Sequence, residues 1–240
     1  MPGTFVPFPT PLHQGKFIRR YKRFFADFEL DGETVVAHCA NTGSMKGLLV
    51  EGSPGMLWDC NDPKKKLKYR WYAVQIEGVW VGIYTQLPNG FVAQAIEDGA
   101  IPSLKDATLI EREKKMGDKS RVDILAHGPW GRCFVEVKNV TLVEDSRALF
   151  PDAVTSRGLK HIHELVARIG EGDRAAMVYL VQRGDARSFS PAEAIDPAYT
   201  EALREAQTKG LEIYAMGTEV SPEGVRFKEL LPIILEPGEG

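Results

Sequence analysis

The chain has 240 residues, of which 43% are hydrophobic and 26% charged, and its formal net charge is −3. That length supports one large or two small domains with a sizeable core, and the composition excludes a disordered or fibrous chain. The charge balance excludes a globally basic nucleic-acid binder, so any such contact must come from local patches.

The first 84 residues read as a β domain. Phe17–Phe24 and Phe25–Leu30 are rich in aromatics and charges, and Asp31-Gly32 is a hairpin turn signal before a short strand at Thr34–His38. Strands follow at Met56–Asp59, Lys68–Ile76 and Val79–Tyr84, the last two joined at Glu77-Gly78. About five short strands in this span suggest a small barrel of OB type. Arg19, Arg20, Lys22 and Arg23 interleave with Tyr21, Phe24 and Phe25, and Lys64, Lys65, Lys66, Lys68 and Arg70 run beside Tyr69 and Trp71. Cations for phosphates and rings for bases suit nucleic acid; solubility charge over core aromatics is the alternative. The stretch His38–Met45 (HCANTGSM) reads as a structural turn, with a phosphate-accepting loop as the alternative.

Thr85–Pro88 is the expected boundary, dividing the chain into 1–84 and 85–240. Asn89–Gly99 reads as a helix with Asn89 as a possible N-cap, and Thr108–Arg112 as a strand. Helices are expected at Pro151–Ile169 and Pro197–Lys209, and strands at Ala175–Gln182, Leu211–Met216 and Phe227–Leu235. Alternating strands and helices from Arg132 to Met216 imply a mostly parallel sheet.

The most informative stretch is Ser120–Leu142. Two alternating runs, Ser120–Ala126 and Arg132–Lys138, flank HGPWG as a hairpin. A turn centred between Pro129 and Trp130 sets Gly128 against Gly131 and Asp123 against Glu136. In that register Val122, Ile124, Ala126, Cys133, Val135 and Val137 share one apolar face, and a one-residue slip would mix the faces. Two carboxylates then face each other at about 5 Å between Cβ atoms, and a divalent cation such as Mg²⁺ would offset their repulsion. Lys138 follows Glu136 on the same face. A solvated Glu-x-Lys pair is the competing reading. Glu97, Asp98 and Glu111 are all candidates for a third acid. On the following helix Lys160 could face a substrate, His161 is open to either role, and His163 reads as solvated.

The three cysteines, Cys39, Cys60 and Cys133, lack metal-ligand spacing and read as reduced thiols. No signal pattern or membrane-length apolar run is present, so the expected location is the cytoplasm, without a membrane partner.

HCANTGSM, DPKKKLKYRW, SRVDIL, FVEVKNVTL, FPDAVTSRGLKHIHEL and Ile195–Pro197, in this order, resemble the sugar fermentation stimulation protein A (SfsA) family from about Arg23 to Pro232. The resemblance implies an α+β two-domain protein. Its N-terminal part would be an OB-fold-like β-barrel, and its C-terminal part an α/β domain similar to PD-(D/E)XK nucleases. In that nuclease pattern a helix glutamate, a strand aspartate, Glu-x-Lys and a polar residue on the next helix fall on Glu97, Asp123, Glu136, Lys138 and Lys160. Glu97, Asp123 and Glu136 would hold Mg²⁺ or Mn²⁺. The partner implied is nucleic acid, DNA rather than RNA, gripped by Arg19, Arg20, Lys22, Arg23, Lys64, Lys66, Lys68 and Lys160. Either a nuclease or a non-catalytic DNA-binding regulator of sugar metabolism fits.

Overall fold

The computed structural model of the chain describes residues 3–116 and 120–236. Strand β1 (Phe5–Pro7) is followed by β2 (Leu12–Tyr21), β3 (Phe25–Leu30), β4 (Glu33–His38), β5 (Pro54–Asp59), β6 (Tyr69–Ile76) and β7 (Val79–Gly82). Strands β2 to β7 form one sheet in the order β4-β3-β2-β5-β6-β7, closed by a parallel pairing of β4 with β6. Closure leaves β2 to serve two neighbours. A bulge between Phe17 and Arg19 lets its second half pair with β3 and its first half with β5. The barrel core is aromatic: Trp71 stacks on Phe17 and takes Phe28 edge-on, each pair at 5.1 Å, while the indole N–H donates to the Ala73 carbonyl.

The second unit begins with α1 (Leu87–Glu97). A 3-10 turn and strands β8 (Leu109–Lys115), β9 (Arg121–Gly128), β10 (Gly131–Val140), β11 (Leu142–Glu144) and β12 (Arg147–Phe150) follow. Then come α2 (Ser156–Gly170), β13 (Arg174–Val181), β14 (Ser188–Pro191), α3 (Pro197–Thr208), β15 (Glu212–Ser221) and β16 (Gly224–Leu231). Seven strands make the central sheet, in the order β1-β16-β15-β13-β10-β9-β8. Only β10, β13 and β15 run parallel; both flanks are antiparallel. The expected mostly parallel sheet is therefore a mixed one. The helical crossovers account only for its centre, and the flanks are closed by hairpins and by β1, which crosses from the barrel side of the chain. A small sheet of β11, β12 and β14, three or four residues per strand, has no counterpart in the sequence reading.

Apolar side chains of the central sheet point both ways. On one face Ile124, Ala126, Cys133, Val135 and Val137 pack on α1 through Phe91, Val92 and Ile96, and Met56, Tyr72 and Ala73 of the barrel join the same core. On the other face Phe134, Ala175, Met177 and Tyr179 pack on α2 and α3 through Ile162, Leu165 and Leu203. Val122 belongs to this second core and not, as the alternation predicts, to the face of Ile124 and Ala126. The helix expected at Pro151–Ile169 starts only at Ser156, capped by the Thr155 hydroxyl accepting from Gly158 N–H. No helix among the described residues is long and apolar enough to cross a membrane, and all three cysteines are free.

Candidate functional site

The β9–β10 hairpin has the register read from its alternation: Gly131 pairs with Gly128, Cys133 with Ala126 and Val135 with Ile124. The ladder stops there, one pair short of Asp123 and Glu136. The Asp123 carboxylate takes the place of a backbone partner and accepts from Val137 N–H at 2.8 Å. Beyond this point β9 stays with β8, pairing Val122 with Lys114 and Arg121 with Lys115. The sheet therefore forks, with Asp123 on one arm and Glu136 on the other. Across the β8–β9 ladder, Glu113 lies opposite Asp123 with a left-handed φ of 54°. That local bend is where the alternation of β9 breaks and Val122 changes face.

Glu136 is 2% exposed. Its Oε1 accepts from Lys138 Nζ at 2.7 Å and is bonded to His161 Nδ1, while Oε2 is buried with no partner among the described residues. Burial opposes its ionisation, but the bond from His161 and the charge of Lys138 outweigh burial and hold the carboxyl below the usual range. Asp123 goes the other way. Burial raises its carboxyl and the charge of Glu136 adds to the rise, against the pull of Val137 N–H, Lys138 and Asn89. The fork thus holds one buried acid with an unpartnered oxygen, Glu136, and one half-buried acid whose negative charge is unfavourable, Asp123. Mg²⁺ or Mn²⁺ fits that donor set, since such ions bind through one or two carboxylates and keep several waters. Among the described residues, no three His, Cys, Asp or Glu side chains cluster closely enough to hold a metal by themselves.

The third acid expected on the helix is not in the fork. Glu97 is exposed at the end of α1, about 12 Å along the helix axis from Asn89 in its first turn. Asp98 accepts from the Thr4 hydroxyl, and Glu111 is paired with Lys114 and His127. What reaches the fork from α1 is Asn89. The helix begins three residues earlier than its cap reading implies, with Gln86 rather than Asn89 at the N-cap, so Asn89 sits inside the first turn. Its amide donates to Asp123 Oδ1 at 2.9 Å and to Glu113 Oε1 at 3.3 Å. On α2 it is His161, not Lys160, that enters: Gly158, His161, Ile162 and Leu165 form the buried stripe. That i, i+3, i+4, i+7 spacing was the available signal for His161. Lys160 is exposed, pairs with Glu164 at 3.4 Å, and lines a cleft of about 470 Å³ with Arg157, Glu113 and Asp123. Arg157 was missed although it lies three and four residues before Lys160 and His161, on the same side of α2.

On the barrel, Lys22 and Arg23 are exposed at the β2–β3 turn, and Lys64 and Lys66 are exposed between β5 and β6. Arg19 is held by Asp27 at 2.8 Å and lies over the Tyr21 ring. Lys68 pairs with Asp59 at 3.1 Å. Arg20 is structural: its guanidinium donates to the carbonyls of Arg23, Gly43 and Asn41 and so is committed to the chain itself. The HCANTGSM loop is correspondingly a connector. Asn41 Oδ1 accepts from Gly43 N–H at 2.9 Å, and Ser44 Oγ donates to Asp152 Oδ2 at 2.6 Å, joining the barrel to the segment before α2.

Two family descriptions match, in tandem. "SfsA N-terminal OB domain" covers residues 18–83 and "Sugar fermentation stimulation protein RE domain" covers residues 86–224. A sugar fermentation stimulation protein homolog of Geobacter metallireducens is 51% identical over 229 residues, spanning 95% of this chain and 99% of that protein. The homolog of Rhodospirillum rubrum is 46% identical, covering 95% of this chain and 98% of that protein. The solved structure of Pyrococcus furiosus SfsA, described as a complex with Ca²⁺, superimposes with a TM-score of 0.87 at 30% identity, covering 98% of this chain and 99% of that one. The six-stranded barrel, the forked mixed sheet and these matches over nearly the whole length agree: the chain belongs to the sugar fermentation stimulation protein family, with an N-terminal OB domain.

Proposed function

We propose that this is a cytoplasmic nucleic-acid-binding protein, acting on DNA rather than RNA, whose second unit is a PD-(D/E)XK-like phosphodiesterase dependent on Mg²⁺ or Mn²⁺. The observation that carries this reading is Glu136: a carboxylate 2% exposed, with one oxygen unpartnered, beside Lys138 and across the fork from Asp123. The Pyrococcus furiosus relative, described in complex with Ca²⁺, supports a family that accepts hard divalent cations.

Asp123 and Glu136 would hold the ion, which when bound supplies a Lewis acid for the scissile phosphate and a water of lowered pKa. Lys138 places its amino group in the fork, where negative charge develops on the phosphate oxygens, and its bond to Glu136 Oε1 fixes its position. His161 orients Glu136 Oε1 and leaves Oε2 for the ion. Asn89 fixes the Asp123 carboxylate. Arg157 and Lys160 line the cleft as counter-charges for flanking phosphates. The OB domain grips the strand.

The test is cleavage of a panel of single-stranded, double-stranded and structured DNA and RNA with Mg²⁺ or Mn²⁺. Cleavage is expected, and Asp123→Ala should abolish it while leaving binding intact. A protein that cleaves nothing in this panel is not a nuclease. It would then fit the second reading, a non-catalytic DNA-binding regulator, which is favoured by the way Lys138, Glu136 and His161 already satisfy one another.

A further inference from the structure

Lys22 and Arg23 occupy the β2–β3 turn at φ values of 48° and 63°. This is left-handed backbone, where glycine or asparagine turns with little strain. The chain instead keeps two long cations there and follows them with Phe24, an aromatic ring 48% exposed. One exposed apolar side chain is ordinary; one presented by a strained and braced turn is not. The bracing is specific. Arg20 Nε donates to the Arg23 carbonyl at 3.1 Å, and Cys39 N–H donates to the Phe24 carbonyl at 2.8 Å. Behind the ring lies His38, stacked at 6.4 Å and 20°, and Arg70 pairs with His38 in the barrel closure.

We infer that this turn is a docking point for an unpaired base, with Phe24 as the stacking platform and Lys22 and Arg23 as its phosphate contacts. The nucleic acid crossing the barrel is therefore single-stranded at that point. The inference rests on the nucleic-acid reading above and names its substrate class. A base inside a duplex is already covered on both faces and cannot use the ring; an unpaired base can, whatever its identity. Because the turn is held in place before binding, little ordering cost is added on contact. The turn is also tied to the cleft. Arg20 clamps it to Asn41 and Gly43, Ser44 bonds to Asp152, and α2 begins four residues later, carrying Arg157 and Lys160 to the cleft.

The experiment is a fluorescence-anisotropy titration of the full chain with labelled oligo-dT, oligo-rU and a blunt DNA duplex, with a thermal melt of every variant. The wild type is expected to bind the single strands more tightly than the duplex. Phe24→Ala should weaken single-strand binding roughly tenfold or more while leaving duplex binding unchanged. Phe24→Trp should retain binding, and its added indole fluorescence should be quenched by oligo-dT. Lys22→Ala with Arg23→Ala should weaken strand and duplex alike and flatten the salt dependence. Equal affinity of the wild type for strand and duplex overturns the inference. So does an undiminished strand preference in Phe24→Ala with binding intact, and either result leaves the reading of the fork untouched. A wild type that binds no nucleic acid at all overturns both.

Discussion

At the scale of single residues the fork is organised by His161. Buried with Ile162 and Leu165 on α2, it reaches across to Glu136 and decides which carboxylate oxygen is spoken for. Groups that orient a metal ligand without touching the metal typically change affinity or activity by 10- to 100-fold. On the proposed phosphodiesterase reading, His161→Ala is accordingly expected to raise the Mg²⁺ or Mn²⁺ concentration needed for half-maximal cleavage by about that factor, with Mn²⁺ calorimetry as a readout independent of turnover. An unchanged metal requirement would make His161 a packing residue only. Gly55 makes a different demand. A Cβ there would run into the Phe28 ring and sit 3.2 Å from Trp71 Nε1, and both rings are fully buried. Gly55→Ala should cost about 1–3 kcal/mol in urea unfolding, with the damage confined to stability.

At the scale of elements, α3 and the start of α2 share one carboxylate. Asp196, 4% exposed, accepts from Tyr199 N–H as the α3 N-cap and from Thr155 N–H with its other oxygen. Asp196→Ala removes a cap and orphans a second donor, so a loss of about 2 kcal/mol is expected, measurable as a lower urea midpoint. The Asp196→Asn variant should recover part of it. The elements differ in how far the sequence disclosed them. The β9–β10 hairpin was legible because its alternation is tight, its turn is two residues long, and a slip would have inverted both faces. The turns at Asp31-Gly32 and Glu77-Gly78 were legible for the same reason, and both carry positive φ in the structure. β1, β11, β12 and β14 were not, since three or four residues carry no period, and the pairings of β1 with β16 and of β12 with β14 join segments distant in sequence. Asn89 was assigned to a cap because capping asparagines and functional ones look alike in sequence. Glu97 was chosen by family pattern, whereas contact with the fork depends on which turn of α1 faces it. The bend at Glu113 is a backbone event that no spacing announces.

At the scale of the molecule the two units behave as one. Gly82 N–H donates to the Gln182 carbonyl at 2.9 Å, and barrel residues Tyr72 and Ala73 are buried in the core that α1 shares with the central sheet. A single calorimetric unfolding transition is expected, and two resolved transitions would refute a shared core. Acid should weaken this whole through Glu212, on β15, two strands across the central sheet from β10. Burial works against that carboxylate, but donors from Arg174, Tyr214 and Ser103 outweigh it and hold its carboxyl low. A carboxyl whose folded pKa lies below its unfolded value of about 4.3 stabilises fully above that value and loses its contribution as pH falls through the folded one. Glu212→Gln should therefore have a lower urea midpoint than the wild type at pH 7, with the gap closing in acid; a gap independent of pH would exclude Glu212 as the source. The first strand, β1, belongs to the second unit. Although it precedes the barrel in sequence, it pairs with β16 and forms the outer edge of the central sheet, so the barrel is in effect spliced into the second unit between its first strand and its helix. Cutting the chain at the apparent boundary near residue 84 would strip that cover and leave the hydrogen-bonding groups of β16 open to a neighbouring molecule. Such a fragment is expected to self-associate through edge-to-edge pairing unless the β1 segment is supplied in trans or fused to its end.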